Sequence, residues 1–323
     1  MMKLRPIDPS RARTRKLGTL SRLVAHDQFA TTVPAGASVR EFLATLPDTL
    51  AARDLRDLAG AIASARRGRR TFLLMMGAHP LKVGLGPVIR DLIRDGTLTA
   101  FATNGAAIIH DFELAFAGRT SEDVAAALAD GSFGMAEETG VFLNGAARMA
   151  AKEGRGLGEI VGREIAQSKF RFRDASIFAA AHVAGIPATV HVTPGADIIH
   201  MHPTADGAAI GASTFTDFHR LAAVAAGLSR GVVLNLGSAV VMPEVFLKAL
   251  NLARNLGHKV DRFTAADMDF VRNYRPRMNV VERPTMGRGR GIMLTGHHEL
   301  MFPLLVAAIR ETLKSPPRQK KKS

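Results

Sequence analysis

His110 and Asp111 stand side by side, separated by two residues from the small-residue run Thr103-Asn104-Gly105-Ala106-Ala107. An imidazole with an ordinary pKa can give or take a proton near neutral pH. The run before it lets a ligand approach the backbone, and a helix opening there would aim N–H groups at an anion. Other chemistry-bearing residues come in comparable places. His79 and Lys82 follow Gly77-Ala78, and Asp197, His200 and His202 follow Thr193-Pro194-Gly195. Ser238 follows Gly237, Thr264 and Ala265 precede Asp267 and Asp269, and His297 and His298 follow Gly296. Lys82 would be a nucleophile if burial lowered its ammonium pKa. His200 and His202, two apart, would face one side of an extended segment, and with Asp197, His297 and His298 they could gather round a metal. No HExxH-like spacing supports that, and no metal is expected. Asp111 has a second role open to it, favouring a helix dipole, as do Glu137 and Glu138. Gly287-Arg288-Gly289-Arg290-Gly291 reads either as a phosphate-binding loop or as a solvated one.

These residues need elements to hold them. Ser38 and Glu41 have the spacing of a capping box, which predicts a helix over Ser38 to Leu46. Leu50, Leu55, Leu58 and Ile62 recur at helical period in Thr49 to Arg67. Short apolar runs predict strands at Thr71–Met76, Thr97–Ala102, Ala188–Val192, Gly231–Leu236, Lys259–Phe263 and Gly291–Leu294. Helices are expected between them at Val83–Arg94, Ile108–Phe116, Ser121–Leu128, Glu138–Ala151, Glu159–Gln167, Asp174–Val183, Thr216–Leu228 and Val245–Asn255, with Glu299–Leu313 last. Strand and helix alternate, so the expected fold is α/β, a doubly wound, mostly parallel, Rossmann-like sheet. In such a sheet ligands lie outside the carboxyl ends of the strands, and six polar loops would converge there.

The chain has 323 residues, 47% of them apolar, enough for a sizeable core. Residues 1–33 read as a basic lead-in, 34–314 as one α/β nucleotide-binding domain, and 315–323 as a disordered basic tail. There is no cysteine, which excludes disulfides, thiolate metal sites and cysteine nucleophiles. The start lacks the apolar stretch of a secretory signal, and no run is long enough to span a bilayer, so the cytoplasm is the default and no membrane partner is expected. The net charge of +14 is concentrated in Lys3–Lys16, Arg66–Arg70 and Arg318–Lys322. No nucleic-acid motif accompanies it, so solvated faces and tails are expected rather than a nucleic-acid partner.

Thr103–Asp111, Ser176–Val190 (SIFAAAHVAGIPATV), Gly231–Gly257, Phe263–Asp269 (FTAADMD) and Gly296–Ala308 (GHHELMFPLLVAA) together resemble deoxyhypusine synthase, over about Thr71 to Leu313. The resemblance implies an NAD-dependent homotetramer. Members of that family oxidise spermidine and pass the aminobutyl group, through a lysine imine, to a protein lysine. Carried over residue by residue, it implies cofactor contacts at His79, at Asn104, Gly105 and Ala106, at Gly237 and Ser238, at Thr264, Ala265 and Asp269, and beside His297 and His298. The family's aspartate before the last helix falls at His297. Its carboxylates before Asp111 are replaced by Ile109 and His110. Its polyamine-binding carboxylate falls at His200, with Asp197 as a nearby substitute. The Trp-Gly-Lys signature is missing, and Val281-Glu282-Arg283-Pro284 stands near its place. Arginine stays protonated and cannot form the imine.

The expectation is therefore an NAD-using enzyme acting on a small amine, with altered substrate chemistry. His110 is the expected acid or base and Lys82 a candidate nucleophile. Asp197, His200 and Arg283 are the expected substrate contacts. The alternative is a nucleotide-binding or assembly protein that keeps the fold without the chemistry.

Overall fold

The computed structural model describes residues 4–314. The tail expected to be disordered lies outside the described residues. Six parallel strands form one sheet: β1 (Phe72–Met76), β2 (Ala100–Asn104), β3 (Ala188–His191), β4 (Val232–Leu236), β5 (Thr264–Asp269) and β6 (Arg290–Thr295). Their order is β3-β2-β1-β4-β5-β6, and every neighbouring pair is parallel. The order reverses between β1 and β4, which makes their carboxyl ends the switch point of the sheet.

The alternation of side chains along each strand feeds two cores. Phe72, Leu74, Met76, Phe101, Leu234 and Leu236 face one, under helices Leu50–Arg67, Gly105–Ala117 and His298–Lys314. Leu73, Met75, Val233 and Ala265 face the other, under Gly207–Ala226 and Val241–Asn255. Strands β1 and β4 are wholly buried because both faces are covered, whereas the edge strand β6 is partly exposed. Strand β3 is an edge, and helix Gly207–Ala226 closes it. The Val190 N–H donates to Asp217 at 2.9 Å and the Val192 N–H to Thr214 Oγ1 at 2.9 Å. Satisfying these donors within the chain blunts this edge against strand pairing.

Several boundaries differ from the sequence expectation. Ser38 does cap helix Val39–Thr45, with Glu41 reciprocating. The helix expected from Val83 begins at Gly86, with Pro87 in its first turn, where proline is suited. The helix expected from Ser121 begins at Val124, capped by the Asp123 side chain. The largest difference is β5, which is Thr264–Asp269 and not Lys259–Phe263. Buried Asp267 is tolerated in that central strand because Asn235 Nδ2 donates to it at 2.8 Å from β4. The polar segment before β6 is helical, with a wide π-type turn at Arg277–Glu282.

Candidate functional site

The carboxyl ends of β1 and β4 meet through two glycines. A Cβ on Gly77 would lie 2.8 Å from the Gly237 carbonyl oxygen. Gly237 itself has φ +66° and is covered by the ring of His298: a Cβ there would collide with Cε1, with Nε2 only 2.9 Å away. His298 begins the last helix and its side chain is fully buried. It packs edge-on to His79 at 5.3 Å between ring centroids and to Phe270 at 5.7 Å, while Phe270 stacks with His297 at 6.3 Å. Asp269 Oδ1 lies 3.4 Å from His298 Nε2 and accepts the Phe270 N–H at 2.8 Å. Neither ring nitrogen of His298 has a hydrogen-bond partner among the described residues. Burial is the main cause of a lowered His79 pKa, with His298 adding to it. Ser238, buried after Gly237, accepts the Met242 N–H at 3.2 Å and so starts helix Val241–Asn255.

The other half of the edge lies at β2 and β3. Asn104 ends β2 and stands at the N-cap position without a side-chain capping bond; the helix begins at Gly105 and not three residues later. The Asp197 carboxylate lies directly over Gly105. A Cβ there would collide with Oδ2, with the carboxyl carbon 2.6 Å away. Burial pushes the Asp197 carboxyl up to about 6, a backbone hydrogen bond from Thr193 opposing it. Its Oδ2, the Asn104 Oδ1, the Thr103 hydroxyl and His200 Nε2 are buried without partners among the described residues. Ala106 is half-buried in the first turn of that helix. His191, which sequence reading passed over as part of a strand, ends β3 beside Asn104 and is held neutral by burial, its pKa lowered to about 3.

His110 sits on the second turn of the same helix, where side chains point back toward the N-terminus. Burial, then the charge of Lys82, pulls its pKa down to about 4. Lys82 itself is exposed, so the burial that would have made it a nucleophile is absent; it faces His110 as a charge instead.

Other expected site residues fall elsewhere. Thr264 and Ala265 are corrected: they begin β5, paired with Val232 and Val233, at the amino end of the sheet. Phe270 holds the position at the carboxyl edge that they were expected to hold. Arg283 is exposed on the helical segment over Val241–Asn255, donating to Asn279 Oδ1 at 2.8 Å, while Asn279 donates to Glu244. His200 Nδ1 accepts the Gly195 N–H at 3.1 Å, and His202 is hydrogen-bonded to the Gly134 carbonyl at 2.8 Å. Among the described residues no group of three histidines or carboxylates could hold a metal. Asp111 is buried and caps a different helix from the one proposed, accepting the Ile177 N–H at 2.8 Å and the Ser176 hydroxyl. Glu137 and Glu138 do lie in a helix first turn. Arg290 of the glycine–arginine loop pairs with Asp57 at the amino end.

The fold is shared with ArgZ and AgrE. ArgZ, an arginine dihydrolase from the ornithine–ammonia cycle in cyanobacteria, is similar with a TM-score of 0.50 at 15% identity, over 81% of this chain and 32% of that one. AgrE in a ternary complex with ornithine and NAD+ gives 0.51 at 14% identity, over 81% and 34%. This chain therefore spans about a third of the length of those proteins. A putative deoxyhypusine synthase from Entamoeba histolytica is 14% identical over 84% of this chain and 93% of its own, with a TM-score of 0.48. At these identities the likeness is one of fold. No protein-family model and no curated protein matches the chain. No helix among the described residues is long and apolar enough to cross a membrane.

Proposed function

We propose that the chain is an NAD-dependent enzyme that oxidises a small amine at the carboxyl edge of its sheet. What carries the reading is the row of buried polar atoms without hydrogen-bond partners among the described residues along that edge, from Thr103, Asn104, Asp197 and His200 to Asn235 Oδ1 and His298 Nδ1. Buried polar groups are normally hydrogen-bonded, so such a row is fitted to a polar ligand. Gly77 and Gly237 let the ends of β1 and β4 approach closely beneath the His298 ring, and this switch point is where an open parallel sheet takes a dinucleotide.

The two halves of the edge divide the work. His79, Gly237, Ser238, Asp269, His297 and His298 would hold the dinucleotide. Asn104, Gly105 and Ala106, expected as cofactor contacts, belong better to the amine. The Asp197 carboxylate already lies over that helix start, where it would repel a diphosphate and attract an ammonium. When bound, the dinucleotide supplies a hydride acceptor. Asp197 and Asn104 Oδ1 would accept hydrogen bonds from the substrate nitrogen, and His110 would take the proton that leaves it. Oxidation is favoured over transfer through a lysine imine, because no lysine stands in Val281–Pro284 and Lys82 is solvated. ArgZ, an arginine dihydrolase, and AgrE, which binds ornithine with NAD+, share the fold and set the first amines to try. The resemblance to deoxyhypusine synthase also implies a homotetramer, which light scattering tests.

Calorimetric titration with NAD+, followed by NADH formation with ornithine, arginine, lysine and spermidine, tests the reading. Saturable binding and turnover with one amine are expected. No binding of NAD+ overturns it, and binding without turnover on a wide amine panel favours the nucleotide-binding or assembly alternative.

A further inference from the structure

His110 does not stand alone. Its Nδ1 lies 2.6 Å from Thr120 Oγ1, and the Thr120 hydroxyl is hydrogen-bonded in turn to Glu113 Oε2. Glu113 is on the same helix, one turn on, with its carboxylate 4.0 Å from His110 Nδ1. Its other oxygen faces the Thr139 hydroxyl at 3.5 Å, from helix Glu137–Glu153, and it also accepts the Ser121 backbone N–H. Thr120 and Ser121 reach it because the chain turns sharply after Gly118, which has φ +71°; Ser121 itself holds φ +70°. That value disfavours any residue with a side chain, so the surrounding contacts hold the turn in place.

Proton counting gives this chain a direction. A threonine hydroxyl has one hydrogen, and an ionised carboxylate can only accept. With that hydrogen given to Glu113, Thr120 Oγ1 presents only lone pairs to His110. The hydrogen between them must then sit on the imidazole. We propose that Glu113 and Thr120 are positioning residues that lock His110 in its Nδ1–H form, leaving Nε2 as the free base. This rests on the reading of His110 above and extends it to two residues that touch neither ligand. The step served is balanced. The substrate ammonium would give a proton to Nε2, Nδ1–H staying hydrogen-bonded to Thr120, and the free amine lone pair would then assist hydride loss to the acceptor that a bound dinucleotide supplies. The charged groups facing this chain are Lys82 from the turn after β1, which disfavours the imidazolium, and Glu122, which raises the Glu113 pKa further.

Histidine-selective 15N labelling with long-range proton–nitrogen correlation at pH 8 reads the tautomer directly, and His110→Gln assigns the signal. The wild type is expected as neutral Nδ1–H, and Thr120→Ser keeps that form. Glu113→Gln should flip it. A glutamine amide donates to Thr120, whose hydroxyl then donates to Nδ1, leaving Nε2–H. Thr120→Val should also revert to Nε2–H, the form usual in water. An Nε2–H signal in the wild type overturns the proposal, as does an unchanged signal in Thr120→Val. The readout needs neither cofactor nor substrate. Failure of NAD+ to bind would remove the functional reading and leave the relay, whereas a wrong tautomer would remove the relay and leave the cofactor site.

Discussion

Gly237→Ala should be costly for two separable reasons. The residue sits at φ +66°, where a side chain costs about 1 kcal/mol. Its new Cβ would also strike the His298 ring, whose Nε2 lies 2.9 Å from it. That ring cannot easily retreat, because His79 and Phe270 pack against it at 5.3 and 5.7 Å. Overpacking of this kind adds about 1–3 kcal/mol, for a total of about 2–4 kcal/mol. Urea unfolding followed by circular dichroism reads the loss as a lower midpoint at unchanged slope. The second substitution, His298→Ala, separates the two causes. In the double variant the collision is gone and only the φ cost remains, so the pair should couple favourably by about 1–3 kcal/mol. A Gly237→Ala loss under about 1 kcal/mol, or strictly additive effects, would refute the packing described for the switch point.

Two further outcomes follow from buried carboxyls. Burial pushes the Asp267 carboxyl up from 3.8 to about 7, so between those values the folded chain holds a proton that the unfolded chain has lost. Its contribution to stability therefore falls as pH rises from about 4 to 7, by up to about 4 kcal/mol. Asp267→Asn keeps an acceptor for Asn235 and removes that dependence, so the variant should gain on the wild type between pH 5 and pH 8 in urea midpoints; a constant difference would contradict the shift. Asp197→Asn should weaken binding of the cognate amine roughly ten- to hundredfold while leaving NAD+ affinity unchanged, the loss expected for a charge-assisted hydrogen bond. Calorimetry with each ligand reads it, and equal losses for both would place Asp197 elsewhere.

Much of this was legible in the chain. The run Phe72–Met76 is apolar enough to mark a strand buried on both faces, and alternation with helical periods carried the doubly wound class. The Ser38–Glu41 spacing located a cap because both partners of that device are visible three residues apart. Misplacement of β5 had a physical cause. Val260 and Phe263 look like strand residues, whereas Ala265, Ala266 and Asp267 look like a loop. Small side chains suit a strand packed beneath helices on both faces, and Asp267 is acceptable there only because Asn235 reaches it from β4. Partners across strands leave no local signal. The same holds for His191, which resembles any strand residue until Asn104 stands beside it, and for Thr120, whose role depends on a turn that brings it back to His110. The exposure of Lys82 was likewise not legible, because exposure, unlike residue type, is set by packing.

The central claim is that NAD+ binds at the β1–β4 switch point. Hydrogen exchange with and without saturating NAD+ tests it most directly. Slowed exchange confined to residues 77–79, 237–240, 269–271 and 295–298 is the predicted result. Protection at the amino end of the sheet around Thr264 and Arg290, or none anywhere, would contradict the account.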